Sequence, residues 1–352
     1  MQFFLIISIP LYFNIKYFPL IAFALNFSNI LNIRLNIKKL IYIFIFLLLI
    51  IFQFSLIDIK NDVTFIYKIL AILIFYISFE YGYQILNLNH YKWFKIQFYI
   101  VTCYAILSSP SYLLGYNYLL PSFNCPQTNL SEIGLLRCST FGEGNLYGIY
   151  LILSGLLFYK SIKLLLICFI CSIIAFSPIP IGILGILILS KKFNTARIIN
   201  IVIIALLIML LIIYLYGKNY EYSETSSFGE RLEFIKIGIT MFIENPIFGV
   251  GFGQYGENIS EYTKFTHIIE KANEGFRYIP NNVIIEVLSE QGLFGLILFI
   301  VFFINTFKFS NHFPFSFLLL ISYLSFFQAC PSLYTLFIGI FMGYIKKINS
   351  IL

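Results

Sequence analysis

The chain has 352 residues, 60% of them hydrophobic and 11% charged, with a mean hydropathy of +0.89. Soluble domains are about a quarter charged and about half apolar, so this composition excludes a water-soluble globular enzyme and a disordered chain. The formal charge is +7, but Lys and Arg stand singly or in pairs between apolar runs. That distribution excludes a nucleic-acid-binding module, which would gather them on one polar domain.

A helix needs about 20 apolar residues to cross a bilayer, and only helices and closed barrels cross at all. The runs here are continuous and rich in Ile, Leu and Phe, without the alternation of barrel strands. The first thirty residues hold one long span or two short ones, split near Asn14–Lys16, with no small-residue cleavage site. Runs follow at Ile41–Ile57, Val63–Leu86, Phe94–Leu114, Asn145–Tyr159, Leu164–Phe176 and Ile179–Leu189. After them come Ile198–Tyr216, Val283–Phe307, Phe313–Ala329 and Ser332–Tyr344. The expectation is an all-α fold, a polytopic transmembrane bundle of about 11 or 12 spans in a single membrane domain over 1–352.

Lys and Arg in short loops mark the cytoplasmic side. Arg34, Lys38 and Lys39; Lys92 and Lys95; Lys160 and Lys163; Lys191, Lys192 and Arg197; Lys308; and Lys346 and Lys347 alternate regularly with less basic loops. The opposite, outward side receives the Ser55–Asp62 turn, a first loop over 115–144 and a large loop over 217–282. Polar mass therefore faces outward, and chemistry is expected at the outer membrane–water boundary. Lys68 and Glu80 are the main charges inside spans and read as snorkelling side chains.

Cys125 and Cys138 lie in the first outward loop, where a disulfide and two free thiols are both open readings. Cys103, Cys168, Cys171 and Cys330 read as small apolar fillers. His90, His267 and His312 converge on no ligand spacing, so a zinc site is not expected and no cofactor is implied. Carboxylates remain open to Mg²⁺ or Ca²⁺.

Three polar stretches stand out. Arg137-Cys-Ser-Thr-Phe-Gly-Glu-Gly-Asn145 puts Arg137, Glu143 and Asn145 at the lip of a span, where a cap-and-anchor role and a functional one are both open. In 229–244, Leu232, Ile235, Ile239 and Phe242 recur at helical spacing, giving an amphipathic helix with Arg231 in its first turn. That helix ends at Asn245-Pro246 and leads into Phe248-Gly-Val-Gly-Phe-Gly-Gln-Tyr255, whose alternate glycines allow a close backbone approach. An amphipathic helix lying on the membrane explains most of this segment without catalysis. Finally, Pro280-Asn-Asn leads into a span with Glu286 and Glu290 on one face and Gly292 and Gly295 spaced for helix packing.

In this order, the three stretches resemble the O-antigen ligase and polymerase superfamily of membrane glycosyltransferases, over roughly residues 110 to 300. The carriers are Arg-x-x-x-Phe-x-Glu-x-Asn at 137–145, Pro-x-x-Gly-x-Gly at 246–251, and Asn281-Asn282, nine residues, then Gly292-x-x-Gly295. The ligases have a His where Asn281 stands and often a Ser-Arg pair where Ser177-Pro178 stands, which points to the Wzy-type polymerase branch. The resemblance implies transfer of a glycan from undecaprenyl diphosphate to a hydroxyl of another lipid-linked repeat, on the periplasmic face of the bacterial inner membrane. It implies Arg137 and Arg231 as diphosphate-binding cations and Glu143 as base, with Glu286 and His267 behind it. Asn145, Asn281, Asn282, Tyr255 and Glu286 would bind substrate, with Tyr255 and Tyr278 stacking on sugar rings. Its partners would be the polyprenyl-diphosphate-linked glycan, membrane lipid, a chain-length regulator and a lipid flippase. An O-antigen ligase joining glycan to lipid A–core, and a transporter or flippase of lipid-linked sugar, are the alternatives.

Overall fold

The computed structural model describes residues 2, 6, 23, 25–34, 37–56, 62–113, 139, 144–175, 178–191, 227–274, 278, 280, 282–306 and 335–351. These residues form helices and connections, with no strand among them. In chain order the helices are α1 (Phe27–Leu31), α2 (Ile37–Leu56), α3 (Asp62–Gln84), α4 (Tyr91–Leu113), α5 (Gly144–Leu157), α6 (Ile162–Ile174) and α7 (Pro178–Leu189). They continue as α8 (Ser227–Glu244), α9 (Tyr255–Tyr262), α10 (Thr266–Asn273), α11 (Val283–Thr306) and α12 (Thr335–Ile351). Seven of the expected runs coincide with α2 to α7 and α11 to within a few residues; Ser332–Tyr344 is realised as the longer α12. The runs at 198–216 and 313–329, most of the first thirty residues, and Cys125 and Cys138 lie outside the described residues.

Among the described residues one helix is long and apolar enough to cross a membrane alone, over Ile284–Val301. A second candidate is the pair Lys68–Gln84 and Leu88–Leu107, which passes the same criterion together but bends by 102° at its break.

Two hydrophobic cores organise the described residues. The larger joins α3, α4, α5, α6, α7 and α12. Its tightest seam lies between α3 and α12, where Gly339 and Gly343, one helical turn apart, face the α3 backbone. A Cβ on Gly343 would stand 1.9 Å from the Phe79 carbonyl oxygen, and one on Gly82 would stand 2.2 Å from that of Ile340. Only hydrogen side chains admit that approach, which is the small-xxx-small packing of membrane helices. Phe94 of α4 closes the seam, stacking on Tyr344 (4.8 Å) and meeting Phe341 edge-on (4.7 Å).

The smaller core belongs to α8, α9 and α10 and is built from Phe234, Ile237, Met241, Tyr255, Ile259 and Ile268. The amphipathic helix expected in 229–244 is present as α8, but its buried face differs. Glu233, Phe234, Ile237, Gly238 and Met241 point inward, while Ile239 and Ile243 are exposed. The reason is that α8 is apolar on two sides. The stripe read from sequence competes with a second stripe, and α9 and α10 cover the second.

The segments bearing Arg34 and Lys347 meet at the end of α3. Gln84 at the end of α3 exchanges hydrogen bonds with the backbone of Arg34 (2.9 and 2.8 Å), and the Lys347 ammonium donates to the Gln84 carbonyl (3.2 Å). Tyr344 donates to the Asn87 carbonyl at 3.0 Å. Lys191 stands 3.9 Å above the Tyr159 ring, beside Lys160. The N-terminal half of α3 and the loop after α8 lie at the other end. Glu80, expected to snorkel, is instead buried and accepts a hydrogen bond from Gln84 at 2.7 Å.

Candidate functional site: a broken helix completed by a glycine loop

The second and third polar stretches form one structure. The helix α11 is interrupted at Gly292, whose φ of 64° and ψ of −162° are open essentially to glycine alone. A break inside an apolar helix frees carbonyls before it and N–H groups after it, and lipid satisfies neither. The loop at 246–251 supplies both sets of partners. Leu293 N–H donates to the Pro246 carbonyl (2.9 Å) and Phe294 N–H to that of Ile247 (3.4 Å). In return, Val250 and Gly251 N–H groups donate to the Ser289 and Glu290 carbonyls (2.8 and 3.0 Å). The two backbones approach so closely that a Cβ on Gly249 would meet the Glu290 carbonyl carbon at 2.4 Å, and one on Gly292 would meet that of Ile247 at the same distance. Gly249, Gly251 and Gly253 all have positive φ (69°, 110° and 79°), which is why the loop needs glycine at alternate positions.

Glu290 is the hub of this junction. Its carboxylate accepts from the N–H groups of Gly253 (2.9 Å) and Tyr255 (3.3 Å) and from the Lys68 ammonium of α3 (2.6 and 2.7 Å). Lys68 also pairs with Glu286 at 2.5 Å and lies 5.7 Å from the centroid of the Phe252 ring. Lys68 therefore does not snorkel; the two carboxylates, one turn apart on α11, hold it. Gln53 of α2 donates to the carbonyls of Phe248 and Glu290, tying a third helix to the same point. Glu286 keeps 21% of its side chain exposed and Glu290 keeps 2%, so of the two only Glu286 is reachable by a substrate.

The helix α8 runs alongside α11 in the same direction. Ile247, just after α8, meets Gly292; Gly238 meets Ile285, where a Cβ would stand 2.2 Å from the isoleucine methyl; and Phe234 packs on Tyr278 with ring centroids 5.2 Å apart. Arg231 lies near the N-terminal end of α8, and Tyr278 leads towards the start of α11. There Asn282 caps the helix, its Oδ1 accepting from Ile284 and Ile285 N–H groups (3.0 and 3.3 Å). On the same turn of α8, Glu230 Oε1 is 3.0 Å from His267 Nε2 of α10.

Asn282 and Glu286 stand one turn apart at the start of α11, the Glu286 N–H donating to the Asn282 carbonyl at 2.8 Å. Tyr255 sits elsewhere. It is 1% exposed in the smaller core, and its hydroxyl donates to the Phe234 carbonyl at 2.8 Å. Burial pushes its hydroxyl pKa up. The sugar-stacking role expected of it does not fit this placement, because no ring face is open; Tyr278 is half-buried at the edge of the same core. Asn145 lies in the first turn of α5, a helix that packs against α6, α7 and α12. Arg137, Glu143 and Asn281 lie outside the described residues. Sequence reasoning missed Lys68 and Gln53; an unexplained Lys and Gln in two adjacent apolar spans were the available signal.

Residues 146–300, which hold α8, the glycine loop and the first three-quarters of α11, match the family model described as O-antigen ligase. That match supports the O-antigen ligase and polymerase superfamily. Members of that superfamily are membrane glycosyltransferase-like enzymes acting on lipid-linked glycans; the glycine loop, Glu286 and Glu290 fall within the matched residues, and Gln53 and Lys68 lie outside them. Among curated proteins the chain has no match.

Proposed function

We propose that the protein polymerises lipid-linked oligosaccharide repeat units on the outward face of the bacterial inner membrane, as a multi-pass bundle. The acceptor hydroxyl of one repeat attacks the anomeric carbon of a glycan held on undecaprenyl diphosphate. The bond from that carbon to the diphosphate oxygen breaks, and the diphosphate leaves with the electron pair. Arg231 and Arg137 neutralise the departing charge, since a guanidinium meets phosphate oxygens in a fixed two-pronged geometry. Glu143 takes the hydroxyl proton, with Glu286 the next candidate by its partial exposure. Asn145, Asn281 and Asn282 contact sugar hydroxyls. A chain-length regulator and a flippase would act with the enzyme.

The observation that supports this reading best is the packing of α8, which carries Arg231, along the part of α11 that opens with the Asn282 cap and holds the partly exposed Glu286. The two helices come from separate polar stretches of the sequence. The test is the glycan ladder in cells carrying Arg137→Ala or Arg231→Ala at normal membrane abundance. Loss of the ladder is expected, and full-length ladders from both variants refute the roles. The matched family is described as O-antigen ligase, which favours ligation as the second reading. In a deletion strain, core bearing a single repeat indicates a polymerase; lipid-linked polymer never joined to core indicates a ligase.

A further inference from the structure

The Lys68 cluster is absent from the chemistry above, yet it is the most connected polar point among the described residues. A buried ammonium between two carboxylates is costly to assemble unless every group finds partners. Here they do: Glu290 takes Lys68 and two loop N–H groups, its carbonyl takes Gln53 and Gly251, and Glu286 takes the remaining side of Lys68. Four chain segments, α2, α3, the glycine loop and α11, are joined through one residue. The loop has no side chains at Gly249, Gly251 and Gly253 with which to hold itself, so its conformation depends on what its backbone N–H groups meet. Beyond the loop, in both directions, lie α8 with Arg231 and α9 with the smaller core.

We propose that Lys68 and Glu290 are positioning residues, whose ion pair clasps the Pro246–Gly253 loop into the break of α11 and thereby fixes α8, the helix that carries Arg231, alongside the α11 turn that carries Glu286. The pair touches no reacting atom. Lys68 stands between Glu286 and Glu290 and offsets their mutual repulsion, while Glu290 accepts from the Gly253 and Tyr255 N–H groups. Misplacing a substrate-binding group by about 1 Å can cost on the order of 100-fold in rate, so releasing the loop is expected to act on turnover. The role in transfer rests on the function proposed above; the clasp itself does not.

The experiment compares the full-length protein with Lys68→Met, Lys68→Arg and Glu290→Gln in nanodiscs. Two readouts are taken: amide hydrogen exchange over residues 249–256, and kcat and KM with a polyprenyl-diphosphate-linked repeat unit. The clasp predicts that Lys68→Met speeds exchange in this segment by about tenfold or more. It also predicts a fall in kcat of about 100-fold with KM within about threefold of wild type. Lys68→Arg, which keeps the charge, is expected to restore both, and Glu290→Gln to fall between. Unchanged exchange in both Lys68→Met and Glu290→Gln overturns the proposal. So does turnover that falls only as far as folded protein falls, with Lys68→Arg no better, or failure of both neutral variants to accumulate, which would make the pair simply structural. If wild type transfers no glycan, the glycosyl-transfer reading fails while hydrogen exchange still decides the clasp.

Discussion

At the scale of single residues, burial separates groups that sequence alone placed together. Glu286 and Glu290 are one helical turn apart, yet one is partly exposed and the other is enclosed by three donors. Tyr255 follows a glycine motif and sits at a loop, where an aromatic reads as a ligand for sugar. The fold turns it inward, and its hydroxyl closes a hydrogen bond inside the smaller core. Tyr255→Phe is therefore expected to lower stability by about 1 kcal/mol and to leave turnover per folded molecule unchanged. Thermal unfolding together with specific activity checks both halves; a selective loss of activity would restore the sugar-stacking role. Periodicity reports which residues share a helix face, not which of two apolar faces a neighbour covers, and Tyr255 and α8 share that ambiguity. Lys68 was legible only as an anomaly, because its partners are more than two hundred residues away.

At the scale of elements, existence and extent of the helices were legible, since apolar run length fixes them. Their interruption was not. Gly292 reads as a packing glycine in an apolar span, and a helix break there is affordable only because the loop at 246–251 completes its hydrogen bonds. That exchange is a tertiary fact with no local signature. The α3–α12 seam does have a local signature, Gly339-x-x-x-Gly343, which apolar run length alone does not single out. Gly343→Val would drive a branched side chain into the α3 backbone, where no rotamer avoids the Phe79 carbonyl. The expected cost is about 3 kcal/mol, seen as a clear loss of folded protein in detergent by size-exclusion chromatography. Wild-type yield and melting would mean the seam is looser than its geometry.

At the scale of the whole molecule, the described basic segments and the Lys68 cluster lie at opposite ends of α3. The basic loops around Arg34, Lys92 and Lys347 gather at one end of α3 and α12, and Lys68, Glu286 and the glycine loop gather at the other. The alternation of Lys and Arg along the chain carries the expectation of a basic end, because short-loop charge sets orientation. The way α8, α9 and α10 fold was not legible, since they carry no sign of which helix they cover. The proposed function stands on transfer from a lipid diphosphate beside the Lys68 end. The direct measurement is incubation of the purified protein with a synthetic undecaprenyl-diphosphate-linked repeat unit, read as a gel ladder together with released undecaprenyl diphosphate. Wild type is expected to produce both and Arg231→Ala neither; a ladder from Arg231→Ala, or diphosphate-linked repeat left untouched by wild type, would contradict it.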